Sequence, residues 1–150
     1  MYQLKRTQFI PADLPTCWDF FSSPKNLQVI TPAYMGFRVL TDNPEKMYAG
    51  LMIAYRITPV FRIPVKWVTE ITHVSDLDFF VDEQRIGPYK LWHHEHHFKA
   101  VEGGTEMTDV LSYELPFGFI GKIAHAVFVK KKLEEIFLYR YRKVEELFGK

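Results

Sequence analysis

The first two thirds of the chain alternate between apolar and polar side chains, with turn residues between the alternating segments. Successive side chains of a β-strand point to opposite faces of a sheet, so this alternation predicts strands. Seven strands are predicted, at residues 2–10, 37–40, 50–57, 65–74, 77–85, 89–101 and 105–115. The connection between Pro59 and Pro64 has little strand-forming potential.

Helical signals occur in two parts of the chain. After the first strand, Asp13 is placed to cap a short helix with Pro15 just inside it, and residues 25–30 predict a second short helix. After Pro116, the apolar spacing changes to three and four residues over 119–148, which predicts one helix about 45 Å long. Its apolar stripe, with one break near Lys130, consists of Ile120, Ile123, Val127, Leu133, Phe137, Tyr141, Val144 and Phe148.

The order of these elements predicts the fold class. One strand, two short helices, a long antiparallel meander and one long C-terminal helix indicate an α+β protein, in which a seven-stranded antiparallel sheet covers the helix. A chain of 150 residues is long enough to bury about 70% of its unfolded surface, and we expect residues 1–150 to form a single domain.

Composition narrows the classes of function. The chain has 19 basic and 18 acidic residues and a net charge of +1, which gives no electrostatic reason to expect a nucleic-acid partner. Aromatic residues make up 16% of the chain, which suits a large apolar interior, packed or hollow. The single Cys17 fits a reducing compartment, and the sequence has neither a signal peptide's apolar core nor a run of about 18 apolar residues. We therefore expect a cytoplasmic protein without a membrane span.

The segment 79–98, FFVDEQRIGPYKLWHHEHHF, holds four of the six histidines. If it forms strands, His94 and His96 point to one face, whereas His93 and His97 point to the other. The pair that points inward matters most for function, because buried polar groups need partners or a role.

Two predicted turns fix the strand registers and therefore the faces. A two-residue connection at Gly87-Pro88 places Asp82 opposite His93. A hairpin at Gly103-Gly104 then places His93 opposite Glu114, so that these three ionisable residues form a solvated ladder. The opposite face is mostly apolar and is predicted to be interior; it carries Phe79, Val81, Glu83, Trp92, His94, His96, Phe98, Met107, Asp109, Leu111 and Tyr113.

The pair His94 and His96 raises the question of a metal site. Two imidazoles about 6.7 Å apart along one strand face are able to share a metal ion, with Glu83 or Asp109 as a third ligand. The alternative is a histidine that is hydrogen-bonded to Asp109 or Tyr113 in the wall of a cavity. No cysteine or further histidine has a suitable spacing, so we predict that the protein holds no metal and no cofactor.

Glu83 is the inward carboxylate that we expect to act in any chemistry. Beside Trp92 it would lose water, and desolvation raises the pKa of a carboxyl group towards values that suit proton transfer. With His94 it forms a candidate acid/base pair for cyclisation, dehydration or hydrolysis. The alternative is a structural role, in which Arg85 or a histidine neutralises the carboxylate.

Four segments carry a family resemblance: CWDFFSSPKNLQVITP, WVTEI, DEQRIGPYKLWHHEHHF and GGTEMTDVLSYELPFG. Over essentially the whole chain, the sequence resembles the Bet v 1 / START-like superfamily, also called the SRPBCC or polyketide cyclase-like class, and in particular an uncharacterised branch of it. The resemblance implies a helix-grip fold, in which the sheet curls around the long helix and leaves a cavity. It implies a cavity lining of Trp67, Phe79, Val81, Trp92, His94, Phe98, Leu111, Tyr113, Phe137 and Tyr141.

Three hypotheses for the function follow. The first is a binding module for a small hydrophobic molecule, such as a lipid, polyketide or quinone, which Glu83, His94, His96 and Tyr113 orient. The second is an enzyme of the cyclase/dehydratase type that uses Glu83 and His94 as acid and base. The third is a partner-binding domain with a filled core. The sequence selects neither the ligand nor the oligomeric state.

Overall fold

One antiparallel sheet contains every strand that the computed structural model describes. The described residues are 1–58 and 63–150, so most of the connection predicted between Pro59 and Pro64 lies outside them. The seven strands in these ranges are β1 (Tyr2–Ile10), β2 (Arg38–Val39), β3 (Met52–Ile57), β4 (Val65–Ser75), β5 (Phe79–Ile86), β6 (Leu91–Val101) and β7 (Gly104–Glu114). They are joined in the order β1-β7-β6-β5-β4-β3-β2, which confirms the predicted fold class.

The helices occur where the sequence predicts them. Between β1 and β2 lie α1 (Leu14–Phe21), α2 (Pro24–Leu27) and a short 3-10 helix (Ala33–Met35). Asp13 caps α1, because its side chain accepts a hydrogen bond of 2.9 Å from the backbone N–H of Thr16. The C-terminal helix runs through α3 (Gly118–Ala124), a π-helical turn (His125–Val129) and α4 (Lys130–Phe148). Among the described helices, none combines the length and the apolar character that a bilayer crossing requires.

The apolar stripe of the C-terminal helix is divided between two faces. Leu133, Phe137 and Val144 are buried against the sheet, as predicted. Ile120 and Val127 are instead exposed. Leu133 lies six positions after Val127, and six positions of a regular α-helix place two side chains about 120° apart around the axis, before the π-helical turn at His125–Val129 changes this angle further. A single interior stripe along the whole helix was therefore a wrong prediction for its first third.

The register between β5 and β6 differs by one residue from the predicted register. Asp82 lies opposite His94, not opposite His93. The connection is longer than two residues, since β5 ends at Ile86 and β6 begins at Leu91. The side chain of Gln84 binds both backbone groups of Tyr89, with distances of 2.7 and 3.0 Å, and so takes the place of a strand partner. A shift of one residue reverses every side chain of β5 between the two faces.

The hairpin between β6 and β7 keeps its predicted faces although its turn lies one residue earlier. Val101 pairs with Gly104, so that Glu102 and Gly103 form the turn and Gly103 adopts a positive φ of 80°. Gly104 lies within the strand, and a larger residue would not fit there because a Cβ would approach the backbone oxygen of Ile10 to 2.2 Å. The register changes by an even number of residues, and the alternation of β6 against β7 is therefore unchanged.

Candidate functional site

A pocket of about 180 Å³ lies between the inner face of the sheet, the segment of α1 and α2, and helix α4. Most of its wall is apolar and aromatic. The apolar lining includes Phe20, Phe21, Leu27, Ile30, Met35, Phe37, Ile53, Tyr55, Ile57, Trp67, Ile71, Phe80, Trp92, Leu133, Ile136 and Phe137. The sheet supplies the aromatic floor because its strands present alternate side chains to this side.

One wall of the pocket is ionisable. Asp82 from β5, His94 and His96 from β6, and Arg140 from α4 line it, and Asp109 from β7 lies behind the two histidines. All five side chains have little exposure: those of His94 and His96 are 6% and 5% exposed, and those of Asp82, Asp109 and Arg140 are 16%, 12% and 13% exposed. We call these five residues the inner cluster.

The inner cluster is held by hydrogen bonds between imidazoles and carboxylates. His94 donates its Nε2–H to Asp109 Oδ1 at 2.9 Å, and His96 donates its Nε2–H to Asp82 Oδ2 at 2.6 Å. The two imidazole rings lie close together, with centroids 3.8 Å apart. Arg140 Nη2 lies 3.7 Å from Asp109 Oδ1. Each carboxylate therefore faces at least one cationic or hydrogen-donating neighbour, as buried charges require.

His96 carries the one unusual polar atom of the cluster. Its Nδ1 nitrogen is 3.1 Å from Asp109 Oδ1, but without the geometry of a hydrogen bond. It is the buried side-chain polar atom without a hydrogen-bond partner in the part of the chain that the structure describes. A buried polar atom of this kind is costly, and the nearby Asp109 carboxylate offsets part of that cost when His96 is protonated.

Burial and neighbours shift the pKa values of the cluster in different directions. Burial alone raises the pKa of Asp109, but Arg140 and the two histidines hold that pKa well below its usual 3.8. Burial and the neighbouring His96 lower the pKa of His94, while its contact with Asp109 opposes them only in part. For His96, burial lowers the pKa, but Asp109 and Asp82 outweigh burial and raise the pKa above 6.5.

These directions give a balanced set of charges. Asp82 and Asp109 are both ionised, because the pKa of each carboxyl is lowered. Arg140 supplies one positive charge, and at pH 6.5 the raised pKa of His96 makes it mostly protonated, while the lowered pKa of His94 makes it mostly neutral. The cluster is therefore close to neutral as a whole, which limits the cost of burying it.

Asp82, His94 and His96 also have the spacing of a metal site. One ligand atom from each lies within 4.8 Å of the others. Two imidazoles and one carboxylate are a donor set that suits zinc. All four imidazole nitrogens, however, already lie within 3.7 Å of a carboxylate oxygen in pairs that neutralise the cluster without a metal ion. The absence of a bound metal stays a prediction.

The structure brings five of the sequence-predicted lining residues to the pocket: Trp67, Trp92, His94, His96 and Phe137. Four others are buried elsewhere in the interior: Phe98 packs with Trp18 and Phe21, Leu111 and Tyr113 pack beside Leu4, and Asp109 lies behind the histidines. Tyr141 does not line the pocket and is 37% exposed.

The predictions for Phe79 and Glu83 as inward side chains are wrong, and Val81, although only 5% exposed, does not line the pocket. These three residues share the outer face of β5, because the register slip reverses that strand. Phe79 stacks on His97, and Glu83 accepts a hydrogen bond of 2.8 Å from Nδ1 of His93. Arg85 lies 3.6 Å from the same carboxylate. Glu83 is thus a member of a surface ladder, and Asp82 is the carboxylate at the pocket.

Sequence reasoning missed Asp82 and Arg140. Asp82 had no local signal, because its strand carries an acid on each face. Arg140 did have one: it continues the spacing of Leu133, Phe137 and Val144, which are the buried positions of α4. A basic residue in line with a buried stripe predicts a buried counter-charge, and that counter-charge is Asp109.

Known structures share this fold at low sequence identity. Protein Ms6760 from Mycobacterium smegmatis is 19% identical with a TM-score of 0.70, over 97% of this chain and 89% of that chain. Protein CV1439 from Chromobacterium violaceum is 8% identical with a TM-score of 0.76, over 99% and 97%. Ginseng major latex-like protein 151 from Panax ginseng is 16% identical with a TM-score of 0.70, over 98% and 97%. At these identities the likeness shows the fold alone.

A comparison with curated proteins gave no match. A family model gave one: the model described as polyketide cyclase / dehydrase and lipid transport matches residues 10–139. This range includes both short helices, strands β2 to β7 and four of the five residues of the inner cluster, while Arg140 lies just outside it. The chain belongs to the polyketide cyclase / dehydrase and lipid transport family.

Proposed function

We propose that the protein binds a small, uncharged and mostly apolar molecule in this pocket, with the ligand's polar group against the inner cluster. The observation that carries the proposal is a largely apolar pocket with ionisable side chains on one wall only. Ligand sites of this type use apolar surface for affinity and a few polar groups for orientation. Membership of a family named for cyclisation, dehydration and lipid transport supports the same ligand class.

The size of the pocket limits the ligand in this conformation. Its volume is about 180 Å³. An apolar cavity of about 150 Å³ in another protein holds one benzene molecule. A single ring, or one ring with a short substituent, therefore fits without any movement. A longer lipid, polyketide or quinone requires α2 or α4 to move away from the sheet.

The charge balance favours an uncharged ligand. Asp82 and Asp109 are offset by Arg140 and a protonated His96. An added buried charge would have no counter-ion, and an uncompensated buried charge costs several kcal/mol (roughly 3–5). A hydroxyl or carbonyl group avoids this cost and is able to hydrogen-bond to the side chains of the cluster that line the pocket.

A second candidate function is general-base catalysis of the cyclase or dehydratase type by His94, without Glu83 as its partner. The observation in its favour is the pair formed by Asp109 and His94. Asp109 accepts the Nε2–H of His94 at 2.9 Å, which leaves Nδ1 as the proton acceptor. Burial lowers the pKa of His94, so the imidazole is neutral and able to act as a base near neutral pH.

We also propose that residues 1–150 act as one domain in the cytoplasm without a nucleic-acid partner. The pairing of β1 with β7 supports the first part, because it joins the first and the last strand in one sheet. The single Cys17 and the net charge of +1 support the others.

The test of ligand binding uses native mass spectrometry and tryptophan fluorescence. Trp67 and Trp92 line the pocket, so an aromatic probe such as naphthol should change their emission. Ile136→Trp should fill the pocket and abolish this response. Leu138→Trp is the matched control, since Leu138 lies on the same helix, is 49% exposed and does not line the pocket.

Two results would contradict the proposal. One is a naphthol response that is equal in Ile136→Trp and in Leu138→Trp. The other is unfolding of Ile136→Trp alone with no probe binding to the wild type, which would indicate a filled interior that is destabilised by overpacking. That result would favour a partner-binding domain. Turnover of a bound compound that is lost in His94→Gln with unchanged affinity would favour the catalytic function.

A further inference from the structure

The first part of the C-terminal helix has an apolar face that points into solvent. Phe119, Ile120, Ile123 and Val127 are 76%, 70%, 50% and 77% exposed. These four residues are spaced by one, three and four positions, so they lie on one side of the helix. Phe117, immediately before α3, is also 80% exposed. We call the four helical residues the α3 face.

The orientation of this helix is fixed by its opposite side. Gly121 is buried, and a Cβ at this position would approach the backbone oxygen of Pro116 to 2.2 Å. His125 is buried as well and shares a hydrogen bond of 2.8 Å with the hydroxyl of Tyr113. Its ring stacks on Tyr2 with centroids 3.4 Å apart. The helix therefore cannot rotate to bury the α3 face without breaking these contacts.

An exposed patch of large apolar side chains promotes aggregation unless a partner covers it. Single exposed apolar residues are common, but contiguous apolar patches mark sites of association with proteins or membranes. On the same helix, Leu133 and Phe137 are 4% and 7% exposed, so α4 does bury its apolar face. The exposure of the α3 face is therefore a local property of this segment.

The charge around the α3 face selects the type of partner. Residues 115–133 contain four lysines, at 122, 130, 131 and 132, and no acidic residue, although the whole chain has a net charge of only +1. Lys132 is engaged with Glu135 and with the ring of Tyr34. Lys122, Lys130 and Lys131 are exposed and flank the apolar residues.

We propose that the α3 face docks on the surface of an anionic lipid bilayer. A helix with aromatic and branched apolar residues on one side, flanked by lysines, lies in the interface with its apolar side chains among the acyl chains. The lysines contact the anionic headgroups. A second copy of this chain fits less well, because it would bring the two sets of lysines together. The proposal does not depend on the pocket or its ligand.

The test is co-sedimentation with phospholipid vesicles. The wild-type chain should bind vesicles that contain 30% phosphatidylglycerol and bind pure phosphatidylcholine vesicles at least tenfold more weakly. Ile120→Glu with Val127→Glu should reduce binding to the anionic vesicles at least tenfold. Ile86→Glu is the matched control, because Ile86 is 55% exposed on β5 and lies outside the α3 face. It should bind like the wild type.

A second pair of substitutions tests the charge separately. Lys122→Gln with Lys131→Gln should weaken binding about 25-fold, because each lysine near an anionic surface contributes about fivefold in affinity, or ~1 kcal/mol. Both residues are exposed, so this variant tests the proposal even if the glutamate variant unfolds, which circular dichroism would detect.

Three outcomes would overturn the proposal. The first is a wild-type chain that does not bind anionic vesicles. The second is binding that neither pair of substitutions weakens by more than Ile86→Glu does. The third is a wild-type dimer, in light scattering, that becomes a monomer in the glutamate variant, which would make the α3 face a self-association surface.

Discussion

Two sets of histidine–carboxylate pairs lie on opposite faces of the same two strands. On the inner face, His96 of β6 donates to Asp82 of β5 at 2.6 Å. On the outer face, His93 of β6 donates to Glu83 of β5 at 2.8 Å. The hydrogen bonds are nearly identical, but the side chains of the inner pair are 5% and 16% exposed, against 31% and 25% for the outer pair.

The difference shows that burial, and not the type of side chain, decides how much these pairs contribute to stability. Water and salt screen the outer pair, and exposed ion pairs contribute about 0–1 kcal/mol to stability. The inner pair has lost its hydration, so each charge depends on its protein neighbours. We refer to the outer residues Glu83, Arg85, His93, Glu95 and His97 as the outer ladder.

The largest effect is expected for Asp109→Ala. This substitution leaves Arg140 and His96 buried without their shared carboxylate, and the loss of one partner of a buried pair costs about 3–5 kcal/mol. Glu95→Ala in the outer ladder should cost less than about 1 kcal/mol. Urea unfolding of both variants measures the difference. Equal losses in the two variants would mean that the inner cluster is as well solvated as the ladder.

A smaller effect is expected for Asp82→Asn. The amide keeps the shape but loses the charge-assisted bond to His96, which should cost about 1–3 kcal/mol in the free energy of unfolding. The adjacent Glu83→Gln is the matched control and should change stability by less than about 1 kcal/mol. If the wild type and both variants bind naphthol, only Asp82→Asn should bind it with an affinity different from that of the wild type. A change in Glu83→Gln alone would restore Glu83 as the pocket carboxylate.

The two buried histidines should titrate on opposite sides of pH 6.5. The raised pKa of His96 makes its contribution to stability fully present below pH 6.5, and lost as the pH rises through the folded-state pKa. The lowered pKa of His94 has the opposite sign: its contribution is present above pH 6.5 and lost as the pH falls through the folded-state pKa. Imidazole NMR signals of the folded protein measure both values.

His96→Gln sharpens this prediction. In the wild type, the free energy of unfolding should decrease as the pH rises above 6.5. In the His96→Gln variant this decrease should be smaller, when unfolding is measured at a series of pH values. Titration of His94 and His96 at the same pH would contradict the assigned charge balance.

The smallest effect is expected for Arg85→Ala. Arg85 lies 2.6 Å from Glu70 and 3.6 Å from Glu83, but its side chain is 46% exposed. Removal of this residue should change the free energy of unfolding by less than about 1 kcal/mol, and added salt should reduce the difference further. A loss of several kcal/mol would show that the outer ladder acts as a connected network.

The faces of β6 and β7 were predictable because alternation alone fixes them. Trp92, His94, His96 and Phe98 point inward as the sequence indicates, and the misplaced hairpin turn does not matter because it moves the register by an even number of residues. The fold class was equally predictable, since a change from a period of two to a period of three or four is a strong local signal.

The face of β5 was not predictable from its own residues. Phe79 and Glu83 on one side have close counterparts in Phe80 and Asp82 on the other, so both faces read as one aromatic residue and one acid. The decision depends on the connection to β6, where the side chain of Gln84 binds the backbone of Tyr89. In β4, simple alternation from Trp67, Thr69 and Ile71 would place His73 inward, but an irregular register between Ile71 and His73 leaves it exposed.

The sequence by itself determined the strands, the helices and the inward histidines, because each follows from residues that are neighbours along the chain. The sequence also indicated Asp109 as a hydrogen-bond partner for one of these histidines, and His94 does bind it. Only the tertiary structure decided that Asp82, and not Glu83, lies beside them at the pocket and that Arg140 supplies the counter-charge. The physical reason is that a pairing between strands depends on the sum of loop geometry, bulges and side-chain bonds to the backbone, and an error of one residue in that sum exchanges the two faces.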